Sequence, residues 1–176
     1  MQVVIINGVG GCGKDTFVSL CRTYLMKYSV YNFSTIDAVK EVARQLFWDG
    51  EKNEAGRTFL YELKKAWKKY NNGPVTTLIR KISEIEQDDV YLNKNSLVFI
   101  HCREESEIEE FKDIFFNRKI PVATLFINRK VGEHTNPSDR VSSKNYSYDY
   151  VINNDGTLEE LNKKAENFLK YLGYID

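Results

Sequence analysis

Gly8-Val9-Gly10-Gly11-Cys12-Gly13-Lys14-Asp15-Thr16 is the stretch that decides the fold. Gly8 and Gly13-Lys14 keep the G-x-x-x-x-G-K spacing of a phosphate-binding loop. Successive backbone N–H groups can curl around an anion only where no Cβ stands in the way, which is why glycine is needed here. Two glycines and a lysine in this register recur by chance about once in several thousand positions, and the flanks narrow that further. Upstream, Val3-Val4-Ile5-Ile6 is a short β-branched run suited to a buried parallel strand. Downstream, Phe17, Leu20, Cys21, Tyr24 and Leu25 recur at helical spacing, predicting a helix over 14–28 whose N-terminus faces the bound phosphates. Lys14 adds a point charge within reach of them. The usual loop has Ser or Thr after the lysine as a Mg²⁺ ligand, whereas here Asp15 stands there and Thr16 follows. Asp15 either holds the ion, directly or through water, or caps the helix or pairs with a basic side chain.

Working outward, strand and helix alternate. Val30–Phe33 reads as a strand, and Val39, Val42, Ala43 and Leu46 define a helix from about 36 to 47 with Thr35 or Asp37 as its cap. Leu60, Leu63 and Trp67 mark a helix over 54–70; Asn72-Gly73-Pro74 breaks the chain, and Leu78, Ile82 and Ile85 carry the next helix over 75–87. Leu97–Ile100 is a strand, followed by a helix through Ile108, Phe111, Ile114 and Phe115, and then a strand at Val122–Ile127. The stretch 128–148, with Gly132 and Pro137, shows no period and reads as a long loop. Tyr150–Ile152 is the last strand, Asn153-Asn154-Asp155-Gly156 a turn, and Leu158–Leu172 the closing helix. This repetition predicts an α/β domain, a parallel sheet with helices on both faces.

The 176 residues suit one domain, and 42% hydrophobic residues supply a full core. Twenty-five basic and 25 acidic residues balance, which argues against a nucleic-acid or membrane binder held by overall charge. Cys12, Cys21 and Cys102 have neither paired nor metal-type spacing, and no apolar run approaches the length of a membrane span. With no basic leader at the N-terminus, a cytoplasmic protein is expected. The neutrality is a sum of unlike blocks. Residues 52–81 carry eight basic against two acidic side chains, 84–113 ten acidic against three basic, and 117–144 six basic against two acidic. These are either solvated helix faces or, in the basic blocks, surfaces for an anionic ligand.

At the loop the chain resembles the P-loop kinases of small molecules, above all the phage-type deoxynucleoside monophosphate kinases, which carry G-K-D-T as Gly13 to Thr16 do, and the adenylate kinases, which carry G-K-G-T. Phe33 to Ala43 is similar to the S-F-A-D-P-L-K segment that follows strand two in the phage-type family. Val98 to Arg103 is similar to its strand-loop segment ending in Asp-x-Arg, and Asp149 to Leu161 to its last strand and helix. The resemblance implies a P-loop three-layer α/β/α fold over 1–176. Its five-stranded parallel sheet would run in the order 2-3-1-4-5, with a helical acceptor-binding insertion at about 35–90 and a lid at about 128–148.

It also implies roles. Gly8, Gly10, Gly11, Cys12, Gly13, Lys14, Asp15 and Thr16 would bind the donor phosphates of ATP, with Asn154 and Gly156 bordering its adenine. Asp37, Arg57 and Arg80 would surround the acceptor, Arg103 its phosphate. Lys14, with Arg129 and Arg140 from the lid, would stabilise the transferred group, and Asp15 would hold Mg²⁺. His101 stands where the family has an aspartate that helps organise Mg²⁺, and is either a satisfied, partly buried histidine or part of the site.

The chemistry expected is ATP-dependent phosphoryl transfer to a nucleoside monophosphate, a deoxynucleotide foremost, by a monomer or homodimer that binds no nucleic acid or membrane. A phosphate acceptor is already ionised and needs no general base. Two alternatives stand beside it: a kinase of another small acceptor, with Asp37 as base for a hydroxyl, and a non-catalytic nucleotide-binding module. A GTPase switch is disfavoured, because Ile127-Asn128-Arg129-Lys130 is not a guanine-recognition motif.

Overall fold

A computed structural model describes residues 1–51, 53–92, 94–130 and 146–176. The expected lid, with Gly132, His134, Pro137 and Arg140, falls largely on 131–145, outside the described residues. The chain divides into two compact units: 1–32 with 94–176, and 33–93.

The first unit is built on a five-stranded parallel sheet. Its strands are β1 (Gln2–Asn7), β2 (Ser29–Ser34, whose last two residues belong to the second unit), β3 (Ser96–His101), β4 (Val122–Asn128) and β5 (Tyr150–Asn153), in the order β2-β3-β1-β4-β5. The expected order is the observed one. The register sets Val4 beside Phe99 on one side and Ala123 on the other, and Ile127 beside Ile152. Val3 to Ile6 and Leu97 to Ile100 are all fully buried, so both faces of the central strands are covered. That is why these strands read as unbroken apolar runs rather than alternating ones.

On one face lie α1 (Lys14–Tyr24) and α6 (Leu158–Tyr171), with Phe17, Val18, Cys21, Leu161, Ala165 and Phe168 packed on Val4, Ile6, Phe99, Leu125 and Ile127. Phe17 and Phe168 meet edge to face with centroids 5.6 Å apart. Burying each such side chain contributes about 1.5–3 kcal/mol. α5 (Glu105–Asn117) buries Ile108, Phe111 and Phe115. Asp149 fastens the entry to β5 by accepting hydrogen bonds from the backbone N–H and hydroxyl of Thr124, both at 2.7 Å.

The second unit holds α2 (Thr35–Gln45), α3 (Glu54–Asn71) and α4 (Gly73–Leu92). α2 begins on a capping box. Ser34 Oγ accepts from the Ile36 N–H, and Asp37 Oδ2 accepts from the Ser34 N–H at 2.8 Å. The cap is therefore Ser34, one residue before the expected Thr35, and Asp37 closes the box. Asn72, at φ 55°, ends α3, and Pro74 stands in the first turn of α4, where its missing N–H costs nothing. A Cβ on Gly73 would overlap the Trp67 indole, so this turn tolerates no larger residue. Val75, Leu78, Ile82 and Ile85 form the buried face of α4.

α1 stops at Tyr24, four residues before its expected end. Leu25 and Tyr28 continue the helical period, but Leu25 serves as the cap and accepts the Tyr28 N–H in the turn that leads into β2. α4 runs on to Leu92, five residues past the expected 87. No helix among the described residues is long and apolar enough to cross a membrane.

Candidate active site

The glycine loop joins β1 to α1 at the C-terminal edge of the sheet, where ligands of open α/β sheets bind. Asn7, buried at the end of β1, sets its entry. Asn7 Oδ1 accepts the Gly8 N–H at 2.6 Å, while Nδ2 donates to the Arg103 carbonyl at 3.3 Å and the Tyr148 hydroxyl at 2.8 Å. One amide thus ties the loop, the segment after β3 and the segment before β5. Gly8 has φ 148°, and a Cβ there would lie 2.4 Å from the Ile127 carbonyl oxygen. Gly13 has φ 99° and precedes α1; its Cβ would lie 2.5 Å from Asn154 Nδ2. Asn154 is itself buried and donates to the Cys12 carbonyl at 2.8 Å, while its own N–H bonds the Asn128 carbonyl at 2.7 Å. The loop is therefore held from beneath by side chains of β1 and of the β5–α6 turn.

Lys14 folds over this loop. Its Nζ donates to the carbonyls of Gly8 at 2.6 Å and Val9 at 2.9 Å, and lies 3.6 Å from Cys12 Sγ. Burial pushes the ammonium below the ordinary lysine range. Cys12 opposes that shift, and the positive charge of Arg103 adds to it. An arriving anion would reverse the balance, because a cation destabilised by burial and by a like charge gains most from a phosphate. Cys12 is buried, as are Cys21 and Cys102, and none of the three is in a disulfide.

Asp15 and Thr16 form the first turn of α1 with exposed side chains. Asp15 Oδ1 accepts from Asn32 Nδ2 at 3.0 Å and lies 3.7 Å from His101 Nε2, while His101 Nε2 bonds Asn32 Oδ1 at 2.7 Å. The Asp15 side chain remains 85% exposed and that of His101 only 13%. His101 is thus partly buried and hydrogen-bonded, and it also stands beside the carboxylate of the loop. Carboxylate and hydroxyl oxygens are the donors Mg²⁺ prefers, so Asp15 and Thr16 fit that ion by chemistry. No group of three or more His, Cys, Asp or Glu among the described residues could cage a metal.

Beside the loop, Gly13, Thr16, Arg129, Asn154, Gly156, Thr157, Leu158 and Leu161 line a cleft of about 260 Å³. The structure thus places Arg129, expected in the lid, on one cleft with Gly13 and Thr16 of the loop and with Asn154 and Gly156, expected at the donor adenine. Arg103 sits half-buried past β3, its carbonyl on Asn7 and its charge acting on Lys14. Asp37, Arg57 and Arg80 belong to the second unit. Arg57 and Arg80 are exposed on α3 and α4, and Asp37 is engaged by the Ser34 N–H and, at 3.5 Å, by Lys40. Arg140 lies outside the described residues. Asn7, Asn32, Thr157, Leu158 and Leu161 line or brace the candidate site and are not singled out by the sequence. An asparagine directly before the first glycine, and another inside a strand, were the available signals.

No protein-family model matches the chain, and no curated protein sequence matches it significantly. Solved structures do. A putative kinase from Chloroflexus aurantiacus superposes with a TM-score of 0.56 at 15% identity, over 98% of this chain and 96% of the other. The APS kinase CysC of Mycobacterium tuberculosis, in complex with AMPPNP and APS, superposes with a TM-score of 0.55 at 14% identity, over 96% of this chain and 97% of the other. At such identities the likeness shows the fold alone: the chain shares its five-stranded parallel α/β architecture with these two kinases.

Proposed function

We propose that the chain transfers a phosphoryl group from ATP, with Mg²⁺, to a nucleoside monophosphate, a deoxynucleotide foremost. The observation that carries this reading is the loop from Gly8 to Thr16, held open by Asn7 and Asn154, with Lys14 folded over it and Arg103 acting on the same charge. Two cations near one loop suit a reaction that gathers several phosphate charges, where catalysis is positioning and neutralisation. Arg129, on the cleft beside the loop, supplies a planar fork for phosphate oxygens. The resemblance assigns Arg140 to the same task, and Arg57, Arg80 and Asp37 to the acceptor. Mg²⁺ would be held by Asp15 with Thr16, and when bound it neutralises charge between the donor phosphates. ADP and the nucleoside diphosphate would be the products of this transfer, with the chain cytoplasmic and acting as a monomer or homodimer in this reading.

Asp37 is a weak candidate for a general base, since its two oxygens already serve the Ser34 N–H and Lys40. That favours an acceptor that arrives ionised over a hydroxyl acceptor. Coupled ADP-release assays across the ribo- and deoxynucleoside monophosphates test the reading. Turnover with at least one of them and none with nucleosides is expected. Turnover confined to nucleosides or other hydroxyl acceptors would overturn the acceptor class, and none with any acceptor would overturn the transfer itself.

A further inference from the structure

The geometry points to His101 as a positioning residue that orients Asp15 toward the divalent cation of the bound nucleotide, acting through Asn32. This rests on the phosphoryl-transfer reading above and adds a role to two residues which that reading does not use.

A carboxylate only accepts, so the Asn32 group 3.0 Å from Asp15 Oδ1 is the amide Nδ2, as observed. That fixes the direction of the amide and presents its Oδ1 to His101 Nε2 at 2.7 Å. An amide oxygen also only accepts, so Nε2 carries the proton. Two hydrogen bonds therefore run one way, from imidazole to amide to carboxylate. A protonated Nε2 has no lone pair for a metal, so this nitrogen is not a ligand. Both contacts on Asp15 fall on Oδ1, and the side chain is 85% exposed. Held by that edge, the carboxylate keeps one orientation beside Lys14 instead of sampling several.

The three residues come from α1, β2 and the last position of β3, so the fold and not a local turn sets the relay. The partly buried His101 is its rigid end and the exposed Asp15 its working end. A histidine here does the supporting work of an outer-shell partner. Removing such partners costs about 10–100-fold in metal affinity.

The test measures Mn²⁺ binding by electron paramagnetic resonance in the presence of a non-hydrolysable ATP analogue, and calorimetric affinity for the metal-free analogue. His101→Leu is expected to weaken Mn²⁺ by on the order of tenfold, with metal-free affinity unchanged. Asn32→Leu should do the same, the double variant no more than either alone, and His101→Gln, which keeps a side-chain N–H donor, should recover most of the loss. Equal losses with and without metal, or additive losses in the double variant, would overturn the positioning role. Without any nucleotide, ¹⁵N shifts of the His101 ring should report the Nε2–H tautomer; the other tautomer overturns the relay directly. A wild type that shows this tautomer but binds neither form of the analogue overturns the phosphoryl-transfer reading, and the cation role with it.

Discussion

The two units bury their apolar residues differently. In the first, the central strands and Phe17, Phe111, Phe115 and Phe168 are fully buried. In the second, Gly56 is the only buried residue of α3 among those described, and Leu63 and Trp67, expected to mark its inward face, are half-buried. Even α4, with a buried face, ends in exposed Val90, Tyr91 and Leu92. The strained glycines of the candidate site, Gly8 and Gly13, sit on the densely packed unit. A loop that must hold left-handed and tightly apposed backbone needs surroundings that leave it no alternative. Of the residues that the resemblance would put around the acceptor, Arg57 lies on the shallowly packed α3, where adaptability costs less.

That contrast can be broken experimentally, starting with the core. Phe168→Ala should cost about 3–5 kcal/mol in denaturant unfolding, whereas Leu63→Ala should cost about 1 kcal/mol, in keeping with half burial. Equal costs would erase the difference between the units. Lys14→Ala should remove about 3 kcal/mol of transition-state stabilisation in kcat/KM while leaving the unfolding midpoint in place or raising it, since partial burial and the charge of Arg103 both work against the ammonium. A lowered midpoint would make Lys14 a structural residue. In the second unit, Ser34→Ala should cost about 1 kcal/mol through the lost cap, read as a small fall in helical circular dichroism on heating.

The smallest effect is a slope. Burial raises the Cys21 thiol from 9.0 to about 12. The folded state therefore holds this proton after the unfolded chain has released it, so the associated stability is complete below pH 9 and is lost as pH rises toward 12. Cys21→Ala should flatten that alkaline decline, whatever it does to stability at neutral pH. An unchanged slope would mean that the thiol ionises freely in the native state.

The fold was largely legible because its signals are local. β-branched runs, a glycine loop of fixed spacing and helical periods each occupy about ten residues, and their order implies the parallel sheet. The errors were local too. Leu25 and Tyr28 obey the period of α1 but are used in a turn, and Ser34 outcompetes Thr35 as cap because Asp37 stands three residues beyond it. The loop half of the candidate site, from Gly8 to Thr16 with Asn154, could be read for the same reason. Asn7 with Tyr148, and Asn32 with His101, could not. Their partners lie 141 and 69 residues away, and only the strand order brings them together.

The Trp67 indole against Gly73 has an optical corollary. Both tryptophans, Trp48 and Trp67, lie within 33–93, whereas the glycine loop lies in the other unit. Intrinsic fluorescence excited at the red edge of the protein spectrum is therefore a private channel of the helical unit, and far-ultraviolet dichroism is shared by both. Melts followed through the two channels need not coincide, and their separation would say whether the chain unfolds as one cooperative block or as two.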